Sequence, residues 1–138
     1  KCLNPYEKVE AETMATMGGL TTIQEGADSV KYGSGNMAIA DIHSGDWLAL
    51  YGVDFGETVA TKFTAAVKAQ PEHTGAIQIR LDALDGEVVG YLEVSEGADG
   101  VNYKELTTEL LCPVTGVHTL VFVFAGEDYQ VDYWKFEK

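Results

Sequence analysis

The chain has 138 residues, 46% of them hydrophobic, and sets 9 basic against 22 acidic side chains for a net charge of -13. That length supports one domain, residues 1–138, with a real core and is too short for two; the acidic surface repels phosphate backbones and anionic lipid heads, which argues against nucleic-acid and membrane partners. No run approaches the apolar length of a membrane span, no basic-then-apolar leader opens the chain, and a first residue of Lys1 reads as a mature or excised piece of something longer, with any secretion signal already lost.

Taken from the N-terminus, Val9-Glu10-Ala11-Glu12 places two glutamates two residues apart. An extended backbone sends both carboxylates to one face, while Val9 and Ala11 mark the other face as buried. Residues 12–18 hint at a helical turn, ended by Gly18-Gly19. From there the patterning is that of strands: 38–42, 46–53, 62–69, 76–81, 88–94, 106–111, 117–125 and 130–136 are short runs rich in β-branched, aromatic or alternating apolar residues. Turn chemistry separates them at Ser44-Gly45-Asp46, Asp54-Phe55-Gly56, Asp85-Gly86, Asp99-Gly100 and Gly126-Glu127-Asp128. Eight or more strands without alternating helices describe an all-β, antiparallel β-sandwich or jelly roll.

The last of these runs carries Val131-Asp132-Tyr133-Trp134. If it lies beside the first strand, Glu10, Glu12 and Asp132 converge, and three carboxylates in one place need a cation or shared protons. Calcium is the expected ion. The plain alternative is that Glu10 and Glu12 are solvated positions of an edge strand. Other acidic groups, at 82–87 and 127–128, lack the spacing of a helix-loop-helix calcium loop and read as turns.

Cys2 and Cys112 fit either one disulfide across a very long loop or two free thiols; neither belongs to a CxxC pair, so thiol redox chemistry and zinc are poor readings. His43, His73 and His118 are scattered without metal spacing. Glu10 and Glu12 on one face of one strand do not straddle a cleft as glycosidase carboxylates do, and no nucleophile elbow or phosphate-cradling loop is present.

The fragments NPYEKVEAE at 4–12, Ile42-His43-Ser44-Gly45-Asp46-Trp47, Gly52-Val53-Asp54-Phe55-Gly56, Ile77-Gln78-Ile79-Arg80-Leu81, Cys112-Pro113-Val114-Thr115-Gly116-Val117-His118, 120–124 and the Val131–Trp134 ending together resemble carbohydrate-binding module family 6. The resemblance covers essentially the whole chain, and families 35 and 36 share the opening glutamates and closing aspartate. It implies a β-jelly roll with a structural calcium at Glu10, Glu12 and Asp132, no catalytic residue, and a monomeric module appended to a secreted, extracellular glycoside hydrolase.

Two sugar sites follow from the same resemblance. The first lies in loops at one end of the sandwich, where Asp41 stands in place of a customary tyrosine, Gln130 in place of a customary asparagine, and Tyr103 at the remaining platform. Tyr32 and Tyr91 are candidates for a replacement face. The second lies on a sheet face and uses Trp47 and Gln78, with Trp47 equally readable as core. The function expected is binding of a β-linked polysaccharide, such as xylan, arabinoxylan or β-glucan, by aromatic stacking and polar contacts. The rivals are a structural or adhesive sandwich with decayed sites, and a small glycoside hydrolase.

Overall fold

In a computed structural model the described residues are 3–10, 15–18, 21–24, 37–40 and 42–138. They form eleven strands and no helix: β1 Val9–Glu10, β2 Ala15–Gly18, β3 Thr21–Gln24, β4 Met37–Ala40, β5 Trp47–Asp54, β6 Ala60–Ala69, β7 Gly75–Leu81, β8 Glu87–Glu93, β9 Lys104–Val114, β10 Val117–Gly126 and β11 Tyr129–Glu137. All eight runs expected from the sequence are strands. The helical hint at 12–18 is corrected, because Ala15–Gly18 is extended and pairs with β5. Pairing along β5 outweighs the modest helix preference of Ala and Met.

The strands build two antiparallel sheets. One runs β3-β4-β11-β6-β9, with β1 also on β11; the other runs β2-β5-β10-β7-β8. This is the expected sandwich with jelly-roll character. Between the sheets lie Leu48, Leu50, Ile77, Ile79, Phe122 and Phe124 from one side, and Phe63, Ala65, Val67, Val131, Trp134 and Phe136 from the other. Trp134 is the core tryptophan. Its indole packs edge-on against Phe122 at a centroid distance of 5.2 Å and against Phe136 at 5.8 Å.

One irregularity positions Asp132. Val131 pairs with Val67 and Tyr133 with Ala66, so Asp132 is an extra residue bulged out of the ladder. Without it, Val131, Tyr133 and Trp134 would alternate in, out, in against Val67, Ala66 and Ala65. The sheet therefore gains nothing in register from Asp132.

The two ends of the described chain meet at one pole. Leu3 exchanges backbone bonds with Gly52 and Asp54, the Phe136 amide donates to the Pro5 carbonyl at 2.8 Å, and the Lys138 ammonium lies 4.7 Å from the Tyr6 ring centroid.

Candidate functional site

Three places gather the chemistry. The first is the bulge. Along one edge of β11, β1 pairs at Tyr133 and Trp134 and β4 pairs at Val131, so Asp132 stands at the seam where two short strands abut. Its residue surface is only 3% exposed. A carboxylate this buried needs hydrogen-bond donors or a cation around it, and a strand seam offers backbone carbonyls as further hard oxygen ligands. Glu10 enters the seam from β1, directly opposite Tyr133. Of the three expected ligands only Asp132 has a described side chain, and a buried carboxylate is the chemistry a hard cation takes; Glu12 and the side chain of Glu10 lie outside the described residues.

The second place is the outward face of the five-stranded sheet. Cross-strand register puts Gly18, Trp47, Val123, Gln78 and Tyr91 in a single row over β2, β5, β10, β7 and β8. Leu48 turns inward, so Trp47 turns outward and is half-buried. Trp47 therefore lies outside the inter-sheet core. A Cβ at position 18 would overlap Nε1 and Cε2 of the indole, so the ring lies over the glycine. Gln78 is fixed by Arg80, whose Nη2 donates to Oε1 at 2.9 Å while Nη1 donates to the Gly86 carbonyl at 3.3 Å.

The third place is the pole opposite the chain ends. Asp99 caps the turn leading into β9 by accepting the Val101 and Asn102 amides at 2.8 Å and the Asn102 side-chain amide at 2.9 Å. These donors, Asn102 foremost, hold its carboxyl well below the usual range. Gly100, at a φ of 75°, then donates to the Ala69 carbonyl and ties the turn to β6. The turn delivers Tyr103, whose hydroxyl donates to Gln130 Oε1 at 3.1 Å. Gln130 keeps its amide nitrogen as a donor beside a hollow lined by Lys68, Gln70, Gly100, Asp128 and Tyr129. The Lys68 ammonium lies 5.1 Å from the Tyr103 centroid. Asp41 and Tyr32 lie outside the described residues.

Of the expected pairs, Tyr103 and Gln130 are in hydrogen-bond contact, whereas Trp47 and Gln78 share a row but lie two strands apart with Val123 between them. Sequence reasoning missed the supporting residues Gly18, Val123 and Lys68, and left Tyr91 unplaced. The signal for Tyr91 was available, since Val89 and Leu92 are buried on a strand whose glycine at 90 interrupts simple alternation. Cys112 is a free, half-buried thiol 3.6 Å from Glu87, and burial followed by that carboxylate raises its pKa; Cys2 lies outside the described residues. His118 is held between Asp82 and the Thr115 carbonyl. It serves a surface clip.

Comparison with known proteins places the chain in a family. The chain is 37% identical over 138 residues to an arabinoxylan arabinofuranohydrolase of Bacillus subtilis (strain 168), aligning 97% of this chain with 26% of that protein. It thus spans about a quarter of the length of such a relative. A crystal structure of a glycoside hydrolase family 43 arabinoxylan arabinofuranohydrolase from Bacillus subtilis, in complex with cellotetraose, superposes with a TM-score of 0.85 at 37% identity, covering 100% of this chain and 28% of that one. A β-1,3-glucan binding family 6 module from Bacillus halodurans superposes with a TM-score of 0.85 at 26% identity, with full coverage of both chains. The profile of carbohydrate binding module (family 6) matches residues 10–138. With that match over nearly the whole sequence and the sandwich it predicts in place, the chain belongs to carbohydrate-binding module family 6.

Proposed function

We propose that this module binds β-linked polysaccharide, xylan, arabinoxylan or β-glucan, without catalysing its cleavage, and targets an attached, secreted glycoside hydrolase to that substrate. The observation that carries the reading is the outward row of Trp47, Val123 and Gln78. An indole laid over a glycine, in one row with an amide two strands away that an arginine already orients, offers a stacking face and a directed polar contact to a glycan. The similarity to arabinoxylan-active and β-1,3-glucan-binding relatives supports the class of ligand. Tyr103 and Gln130, with Asp41, supply a second, end-on site of weaker affinity, since Lys68 already lies over one aromatic there.

Attaching a modest binder to an enzyme raises the local concentration of substrate without adding chemistry. Calcium, held by Glu10, Glu12 and Asp132, ties the first strand to the last and supplies structural stability. Affinity electrophoresis through gels containing soluble xylan, arabinoxylan or β-glucan tests the function. Retardation on at least one, abolished by Trp47→Ala, is the expected result; no retardation on any of them with calcium present would leave the structural or adhesive alternative.

A further inference from the structure

Tyr91 ends the row that Trp47 begins. Both side chains face outward, and three inter-strand steps separate them, about 14 Å. Between them lie Val123 and Gln78, both half-buried. In the adjoining row on one side Ala49 is 5% and Val121 1% exposed, while Arg80 and Val88 are half-buried. On the other side Ala125, Ala76 and Glu93 are in register and accessible. The reachable surface is therefore a narrow strip running across the strands, small in the middle and aromatic at both ends.

The strip does not stop at Tyr91. That residue, 48% exposed, also borders a groove of about 430 Å³ between β8 and β9, lined further by Glu93, Glu96, Glu105, Thr107 and Thr108. A close approach keeps the two strands together, since Gly90 sits where a Cβ would come 2.9 Å from the Leu110 side chain. The groove is rich in hydrogen-bond acceptors and hydroxyls, the groups that read sugar hydroxyls.

We propose that Tyr91 is a second stacking platform, and that the sheet-face site takes an interior run of a linear β-linked glycan, several rings long, which crosses the strands from Trp47 and continues over the sheet edge into the β8–β9 groove. This rests on the sheet-face reading given above and goes beyond it by fixing the path, the length and the internal mode of recognition. A single pyranose cannot span the two platforms, so affinity must rise with chain length until both are covered. Because the path runs on past Tyr91 into the groove, no reducing end is required there.

The test is calorimetric titration of the calcium-loaded protein with a length series, from disaccharide to hexasaccharide, of xylo- and cello-oligosaccharides. The intact protein should gain on the order of tenfold in affinity from the shortest to the longest ligand, as one added aromatic contact would give. Tyr91→Ala should lose that gain, Tyr91→Phe should keep it, and reduction of the terminal sugar to its alditol should leave hexasaccharide affinity unaltered. If Tyr91→Ala retains the full length dependence while Trp47→Ala abolishes binding, the path proposed here is wrong and the sheet-face site stands. If Trp47→Ala binds as tightly as the intact protein, the sheet-face site itself is wrong. A melting curve for each variant checks folding.

Discussion

Gly18 and Trp47 face each other directly across β2 and β5, and the indole occupies the space that any side chain at position 18 would need. The platform is thus set by its neighbour as much as by its own rotamer. Gly18→Ala should displace the ring. We expect a stability loss of about 1–3 kcal/mol, the usual cost of overpacking, together with a clear drop in glycan retardation. Urea unfolding and affinity electrophoresis on the same preparation read both effects, and unaltered retardation would mean that the ring is not the platform.

Asp132 should report the calcium. An ion at a hundred times its dissociation constant adds about 2.7 kcal/mol to a native state that alone binds it. The intact protein should therefore melt several degrees lower in chelator. Asp132→Asn should melt at one temperature with and without the chelator. A melt of the intact protein that ignores chelator would remove the ion from the fold.

Acid should loosen the turn that presents Tyr103. The Asp99 carboxyl is held below its ordinary value of about 3.9, chiefly by the Asn102 amide, so its contribution is fully present above that pH and fades as pH falls further. Hydrogen exchange at the Val101 and Asn102 amides, compared at pH 6 and pH 3, should quicken beyond the intrinsic pH effect. Asp99→Ala should show fast exchange at both.

Alkali should act on Tyr129. Its hydroxyl donates to the Ala125 carbonyl at 2.9 Å and the Ala76 carbonyl at 3.1 Å, and burial pushes its pKa above the ordinary value of about 10. Its contribution is present below pH 10 and is lost as pH climbs toward the raised folded value. Urea midpoints measured between pH 8 and pH 11 should fall, and fall less in Tyr129→Phe. That variant should begin about 1–2 kcal/mol less stable, because two buried carbonyls lose their donor.

The longer strands could be read from the sequence because each pairs an apolar run with turn residues at both ends. β2 and β3 could not. They are four residues each, and the helix-favouring Ala15 and Met17 outweigh any alternation when no long-range partner is known. Trp47 was ambiguous for a related reason: Trp-Leu-Ala-Leu is apolar at every position, so period two leaves no mark, and only pairing with β10 decides which face each residue takes. The bulge at Asp132 has no local signature either. It emerges from two spacings at once, Val131 against Val67 and Trp134 against Ala65, which no single strand carries. By contrast the Tyr103–Gln130 pairing was foreseeable from matching residues one by one to the family pattern, though the lysine over the ring was not.

The meeting of the chain ends at one pole has a mechanical consequence. Gln130 is the second residue of β11 and Lys138 follows its close, so the Tyr103–Gln130 pair stands about 25 Å from the pole where Leu3 and Lys138 lie. A tether fixed there works like the grip of a tool held away from its working tip. Pull applied at Lys138 enters along β11 and is shared with β6 beside it, so the opposite pole is not on the loaded end. Such a cassette can be fused in front of or behind another domain with the same reach, because both fusions leave from the same grip.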